Sequence, residues 1–196
     1  MNKMRRASIS LVAVGLALGA LCASGFAQEV ELKNDPSYPL QLVSVSSLQF
    51  SEDGTVFHGA TVSVQNMGSV PCVAFAVSLV LELSNSQTRR MTFSEDHNAL
   101  AYAKGSSSDE IVPGQTYIMR DTTGVRLPIP IGVTITEIQA RVVYVETADG
   151  KSYGDDRDKV GPSFRIGRLE RAAERARLLK IYNTQGLQAL LDELQQ

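Results

Sequence analysis

Two histidines and a few clustered carboxylates are the side chains of this sequence that could support acid–base chemistry. His58 stands in an alternating run with Val56, Ala60 and Val62, which predicts a packed or rim position on the apolar face of a strand. His97 stands in a polar run, which predicts a solvated side chain. Neither setting favours a catalytic base.

Four carboxylates support the alternative reading, a hydrolase acting on glycans. Glu95, Asp96, Asp109 and Glu110 are close in sequence, and a pair of carboxylates can cleave a glycosidic bond without any local motif. The sequence has no tryptophan, however, and sugar binding commonly uses aromatic stacking. We therefore expect a protein that is not an enzyme and keep the hydrolase as the alternative.

Metal sites are poorly supported, and the sequence predicts no cofactor. Asp155, Asp156 and Asp158 offer the oxygen ligands that calcium prefers, but the twelfth position counted from Asp156 is Gly167 rather than a carboxylate. A solvated acidic turn is the expected structure. A blue-copper site would need histidines close to Cys72, and none follows before His97.

The first 27 residues predict a bacterial export signal. Residues 9–23 are almost wholly apolar, and small residues, Gly25 and Ala27, stand at the −3 and −1 positions of a cleavage site before Gln28. The basic start consists of Lys3, Arg5 and Arg6. A retained membrane anchor and a lipidated Cys22 are the alternatives; Leu21 stands where a lipoprotein signal has a small residue. The predicted location is the periplasm or cell surface.

Cleavage would change both the charge and the cysteine content. The mature chain loses three basic residues and no acidic one, so its formal charge moves from −2 to −5. An acidic chain lacks the basic footprint that nucleic acid requires, and no nucleic-acid partner is expected. Cys72 then stands alone, either buried and inert, which its apolar surroundings favour, or paired between chains.

The middle of the chain alternates with period two, which predicts β-strands. Bulges are expected at Ser46-Ser47 and Thr136-Glu137, and Asp149-Gly150 predicts a tight hairpin. Residues 73–83 should form a central strand, with one face in the core and the other lightly covered or wet. The predicted strands are 40–50, 56–64, 73–83, 88–93, 115–120 and 133–145.

The C-terminal tail changes to a helical period and predicts two short helices broken near residues 183–186. Six basic and two acidic residues lie within 165–180, against an acidic remainder. The tail can pack on its own sandwich, bind a partner protein or a second copy, or contact an anionic membrane, the last being least favoured because the stripe is rich in alanine. The predicted apolar stripe is Ile166, Leu169, Ala172, Ala173, Ala176 and Leu179. The predicted partner-binding residues are Arg168, Arg171, Arg175, Leu187, Leu190, Leu191 and Leu194.

Two segments resemble the immunoglobulin-like modules of exported bacterial proteins, of the CARDB and FxLYD type. In these a strand ends in asparagine before a turn, as at Asn66, and a Pro-Gly pair precedes a later strand, as at Pro113-Gly114. Residues 142–154 are similar to a hairpin of uncharacterised exported acidobacterial proteins. The resemblance covers residues 40–154; it implies a fold and an exported setting, and it carries no catalytic residue.

The sequence therefore predicts a mainly β protein, an immunoglobulin-like antiparallel β-sandwich with a C-terminal helical tail. The expected organisation is a signal peptide at 1–27, a linker at 28–39, the sandwich at 40–164 and an amphipathic helical tail at 165–196. The expected function is binding or structural, in the cell envelope, with recognition through the sandwich loops and the tail.

Overall fold

A computed structural model describes residues 29–51, 56–98, 110–121, 125–127 and 129–195. Strands are the main regular structure of this part of the chain, and two helices follow them. The strands are β1 (Val30–Lys33), β2 (Leu40–Phe50), β3 (Val56–Asn66), β4 (Cys72–Leu83), β5 (Thr88–Asp96), β6 (Thr116–Asp121), β7 (Val125–Arg126), β8 (Ile135–Thr147) and β9 (Ser152–Tyr153). The helices are α1 (Val160–Gln185) and α2 (Leu187–Leu194). The export signal predicted at 1–27 lies outside the described residues.

The strands form two sheets packed face to face, which confirms the predicted β-sandwich with a helical tail. One sheet has the order β1-β8-β4-β5, with β9 also paired to β8, and the other has the order β2-β3-β6, with β7 paired to β3. The core between the sheets holds the inward faces of the long strands, because alternate residues of a strand point to the same side.

Local sequence signals located two of the irregular points of the sheets, and the hairpin turn, correctly; further shifts of register in β2 and β4 were not predicted. Ser47 has a positive φ of 53°, and the pairing of β2 with β3 shifts between Ser46 and Gln49, where the bulge was expected. The pairing of β4 with β8 shifts beside Glu137. Asp149 and Gly150 turn the chain from β8 into β9, as predicted.

The two turns that carry the predicted motifs, one after Asn66 and one at Pro113-Gly114, lie together at one end of the sandwich. Asn66 is fully buried where β3 ends, and its side-chain amide donates hydrogen bonds to the carbonyls of Val70 (2.9 Å) and Ile111 (2.8 Å). The backbone N–H of Gly114 donates to the carbonyl of Asn66 at 2.8 Å. The asparagine therefore ties its own turn to the Pro113-Gly114 turn.

The segment predicted as a linker at 28–39 contains a strand, so this prediction was wrong. β1 pairs in parallel with β8, with Val30 opposite Ile138. The sandwich thus begins at Val30 and is not purely antiparallel. Strand β1 has only four residues, and its partner strand lies more than a hundred positions further along the chain, so no local sequence pattern indicates the pairing.

His58 is exposed, which corrects its predicted place on the apolar face of its strand. Ala60 and Val62 point into the core, but towards the start of β3 the pairing with β2 is irregular around Gly59. Beyond that irregularity Phe57 takes the inward position and contacts Phe50 and Phe93, which turns His58 outward.

Strand β4 is central, as expected, but its second face is buried rather than wet. Ala74, Ala76 and Ser78 are fully buried, because the first turns of α1 cover this outer face of the sheet. Small side chains on β4 let a helix approach the sheet closely.

Helix α1 is longer than predicted and starts earlier, within the segment assigned to the sandwich. It begins at Val160 rather than residue 165 and runs for 26 residues, about 39 Å. No residue after Phe164 belongs to a hydrophobic core cluster of the described chain, so most of α1 projects beyond the sheet. Among the described residues no helix is long and apolar enough to span a membrane.

Candidate interaction site on the helical tail

The start of α1 is fixed to the sandwich by a carboxylate cap. Asp156 accepts hydrogen bonds from the backbone N–H of Val160 (2.6 Å) and of Gly161 (3.2 Å). Gly161 lies against the ring of Tyr144, where a Cβ atom would come within 2.8 Å. The acidic turn at 155–158 is therefore a helix cap, because a carboxylate complements the positive end of the helix dipole.

We expect Asp156→Ala to lower the free energy of unfolding by about 1–2 kcal/mol, because two helix N–H groups lose their acceptor. Asp156→Asn keeps an acceptor oxygen and is the matched control, with a loss of about 0.5 kcal/mol. Urea denaturation followed by circular dichroism measures both. Equal losses in the two variants would contradict a capping role.

Arg168 clamps α1 to the outer face of the first sheet. Its Nε and Nη2 donate to the two carboxylate oxygens of Asp96, at 2.9 and 3.0 Å, and its Nη1 donates to Oε1 of Glu146 at 2.7 Å. Asp96 on β5 and Glu146 on β8 flank Ala74 of β4 in register, so the guanidinium lies over an alanine. Such a bidentate pair fixes geometry as well as charge.

The side chains of the clamp are largely buried, and the charge of Arg168 is stabilised by its two carboxylate partners. Burial by itself lowers the pKa of Arg168, but the hydrogen bonds with Asp96 and Glu146 outweigh it and raise the pKa above its usual value. Tyr144 donates a hydrogen bond to the other oxygen of Glu146 at 3.1 Å. Burial, with the neighbouring carboxylate, raises the pKa of Tyr144 to about 12. Arg168 thus stays charged and Tyr144 stays protonated at neutral pH.

This geometry corrects two of the predicted partner-binding residues. Arg168 faces its own sandwich, and Arg171 reaches the same Asp96 at a longer 3.4 Å. Arg175 is exposed on the helix. The helix does dock on its own acidic domain, which was one of the alternatives, but through Val160, Phe164 and Arg168. The expected contacts, Leu169, Ala173 and Ala176, are exposed.

The apolar stripe of α1 faces solvent. Ile166, Leu169 and Leu179 are 56%, 71% and 48% exposed, and the alanines between them are exposed as well. The clamp explains the orientation of Ile166, Leu169 and Ala173, which lie about 100–160° round the helix from Arg168 and so point away from the sheet. Ala172 and Leu179 lie on the same side of the helix as Arg168, and they are exposed because this part of α1 projects beyond the sheet. We call this exposed set, Ile166, Leu169, Ala172, Ala173, Ala176 and Leu179, the α1 stripe.

Helix α2 folds back on the far end of α1. Gly186, with φ of 88°, breaks the helix, and Arg177 donates to Glu193 of α2 at 2.5 Å. Leu190 is half-buried, whereas the other three predicted leucines are exposed: Leu187, Leu191 and Leu194. The hairpin of α1 and α2 therefore presents two apolar surfaces. One is the α1 stripe, and the other consists of these three exposed leucines, which we call the α2 strip.

Glu95 and Asp96, two of the four candidate carboxylates of the hydrolase alternative, do not face each other. Glu95 and Asp96 are consecutive in β5 and point to opposite faces of the sheet. Glu95 accepts a hydrogen bond from Tyr117 at 2.6 Å between the two sheets, and Asp96 is held by Arg168. Glu110 is half-buried, and Asp109 lies outside the described residues.

The prediction that His97 is solvated was wrong. His97 is fully buried, stacked on Phe75 with ring centres 5.9 Å apart and edge-on to Tyr117 at 4.7 Å. Its neighbours come from β4 and β6, so the polar residues beside it in sequence gave the wrong signal.

One motif escaped the sequence reasoning. Gly150, Ser152 and Gly154 fit the spacing Gly-x-Ser-x-Gly of hydrolase nucleophiles. Ser152 is exposed in β9 of a hairpin rather than on a turn from strand to helix, and His97 is buried elsewhere. This segment therefore lacks the geometry of a nucleophile elbow.

Cys72 is fully buried at the start of β4, as its apolar surroundings predicted. Burial raises the pKa of its thiol to about 11. Within the described chain, no group of three histidines, cysteines or carboxylates could hold a metal ion.

We expect Cys72 to resist alkylation in the native protein at pH 8, because the thiol is both inaccessible and protonated. A Leu191→Cys variant, whose new thiol is on the exposed α2 strip, should be labelled once under the same conditions, and urea should expose Cys72. Since the raised pKa favours the protonated thiol in the folded state, stability should fall as pH rises from about 9 to 11. Rapid native labelling of Cys72 would contradict its burial.

Comparison with known proteins adds no family. No protein-family model and no curated protein matches the chain. A Bordetella pertussis protein assigned as ApaA is 18% identical, with a TM-score of 0.34, over 60% of this chain and 89% of that one. A hypothetical protein of Peptoclostridium difficile 630 is 10% identical, with a TM-score of 0.33, over 66% and 93%. At TM-scores this low, the similarities indicate neither the fold nor the function of this chain.

Proposed function

We propose that this protein is an exported, non-enzymatic binding module of the bacterial cell envelope, in which the sandwich is a platform and the helical tail is the recognition surface. One observation carries the proposal: after its first turn, which packs on the sheet through Val160 and Phe164, α1 is held to the sandwich by the charges of the clamp, and the apolar side chains of the α1 stripe, from Ile166 onward, remain exposed. A helix that served only as a cover would turn these side chains inward.

The rigidity of the attachment supports this role. Val160, which Asp156 caps, and Arg168 of the clamp are about two helical turns apart, and together these contacts fix both the start and the rotation of α1. The exposed strips are thereby presented in a defined direction, which limits the entropy lost on binding. Monomeric proteins seldom expose extended apolar surface without an interaction partner.

The export component rests on the predicted signal and has its own test. Fractionation of an expressing bacterium should place the protein outside the cytoplasm, and N-terminal sequencing should begin at Gln28. A cytoplasmic protein that retains Met1 would overturn this component.

The binding component is tested by photo-crosslinking in cells. A photoreactive phenylalanine analogue at Leu191 or Leu194 should give a discrete crosslinked product. The matched control replaces Ile118, which is 55% exposed on the sandwich and should give none. If both tail positions give no product, or if Ile118 gives the same one, the tail is not the recognition surface.

A further inference from the structure

We propose that the α1 stripe pairs with the α1 stripe of a second copy of this chain, in an antiparallel arrangement. The inference deepens the proposed function, since it rests on the tail as the recognition surface and names the partner. It is drawn from the spacing of the stripe, the sizes of its side chains, its two-fold self-complementarity and its area.

The spacing is that of a helix–helix seam. Ile166, Leu169, Ala173 and Ala176 recur at intervals of three, four and three residues, which keeps them on one line of the helix. All four are exposed. A helix that packs only on a sheet has no use for aligned apolar residues on its solvent side, whereas two paired helices pack through such residues.

The side-chain sizes select the antiparallel arrangement. In an antiparallel pair, Ile166 faces Ala176 of the second copy and Leu169 faces Ala173, so that each layer combines a large and a small side chain. A parallel pair would place large on large at one end and alanine on alanine at the other. The helices would then need different separations along their length, because the contacting side chains set the distance between axes.

The stripe complements itself in the same arrangement. A two-fold interface requires each contact to occur twice with the roles of the copies exchanged. The layer of Ile166 on Ala176 and the layer of Leu169 on Ala173 are both repeated in this way by the axis. Arg177, which borders the stripe, takes no part in the pairing, because its guanidinium is held by Glu174 and Glu193 of its own chain.

The area fits a reversible dimer. The stripe spans about 20 Å of helix. Together with the α2 strip it offers on the order of 500 Å² of apolar surface per copy, judged from about 100 Å² for each fully buried aliphatic side chain. A standard stable interface takes about 800 Å² from each partner, so we expect a dissociation constant in the micromolar range.

Sedimentation velocity on the chain from Gln28 onward, which holds every described element, tests the proposal. Between about 1 and 200 μM the average mass should rise from monomer towards dimer, the range in which a micromolar interface titrates. Leu169→Glu and Ala173→Glu should each raise the dissociation constant at least tenfold. Ile118→Glu removes an equally exposed apolar side chain from the sandwich and should leave it unchanged. A monomer throughout, or a dimer indifferent to Leu169→Glu, would overturn the proposal.

Cysteine crosslinking tests the orientation. A mixture of Ile166→Cys and Ala176→Cys chains should form the mixed disulfide under mild oxidation faster than either variant pairs with itself, while the buried Cys72 stays reduced. Preferential self-pairing of each variant would contradict the antiparallel arrangement.

The outcomes also separate this inference from the proposed function. A monomer that still crosslinks to a different protein through Leu191 would refute the second copy and leave the tail as a binding surface. A monomer that floats with anionic phospholipid vesicles, and loses this with Leu169→Glu, would replace the second copy with a membrane. A monomer without crosslinks or vesicle binding would refute both.

Discussion

Replacing Arg168 by methionine is expected to lower the free energy of unfolding by about 3 kcal/mol, the usual cost of removing one partner from a buried ion pair. The methionine keeps the length of the side chain but leaves two carboxylates without their cation. The Asp96 side chain is only 6% exposed and Glu146 17%, so neither can recover full hydration. Urea denaturation measures the loss.

Two further variants test whether the clamp is the cause. Arg171→Met should cost less than about 1 kcal/mol, because Arg171 is half exposed and its contact with Asp96 is longer. Adding Asp96→Asn and Glu146→Gln to Arg168→Met should restore most of the lost stability, because the uncompensated charges are removed. A loss for Arg168→Met no greater than that for Arg171→Met would contradict the clamp.

Replacing Gly154 by alanine is expected to lower the free energy of unfolding by about 3 kcal/mol, because the added methyl group is crowded and the backbone is strained. Gly154 has φ of 116°, and an added Cβ would lie 2.1 Å from the carbonyl oxygen of Val143. The three nearest atoms, the carbonyl oxygen and carbon of Val143 and the Cα of Tyr144, all belong to the backbone, so none can move aside cheaply. Because Gly154 leads into the Asp156 cap, its displacement would also disturb the start of α1.

Gly150 in the same hairpin is the matched control. It too has a positive φ, of 83°, but no atom lies within 4 Å of its added Cβ. Gly150→Ala should therefore cost only about 1 kcal/mol, from the backbone conformation alone. Equal losses for the two glycines in urea denaturation would show that the close approach of Gly154 to β8 is not a constraint.

The features that were predicted correctly are those coded by neighbouring residues. The alternation of β4, the bulge at Ser47 and the turn at Asp149-Gly150 each depend on a few consecutive positions, and all lie where expected. The cap at Asp156 belongs to the same class. Its signal was present, a carboxylate with Pro162 a few residues later in the first turn of a helix, but the acidic cluster was interpreted as a solvated turn.

The failures share a different cause, which is dependence on residues distant in sequence. The burial of His97 is set by Phe75 and Tyr117 on other strands. The rotation of α1 is set by Asp96 and Glu146, which become neighbours only when β5 and β8 flank β4. Amphipathic periodicity predicted a helix correctly, but it assumes that the apolar face turns inward, and here the arginine face does.

The measurement that tests the central claim most directly compares the chain from Gln28 onward with a version that ends at Arg175. The shorter chain keeps the cap, the clamp and Leu169, but it loses Ala176, Leu179 and all of α2 with its exposed leucines. Thermal melting and light scattering follow both. If the tail is a presented recognition surface, the shorter chain melts within a few degrees of the full chain, stays in solution, and self-associates more weakly, because Ile166 loses the Ala176 that it faces and the leucines of α2 are gone. If the shorter chain instead unfolds or aggregates, the far tail is a structural cover, and the recognition surface proposed here does not exist.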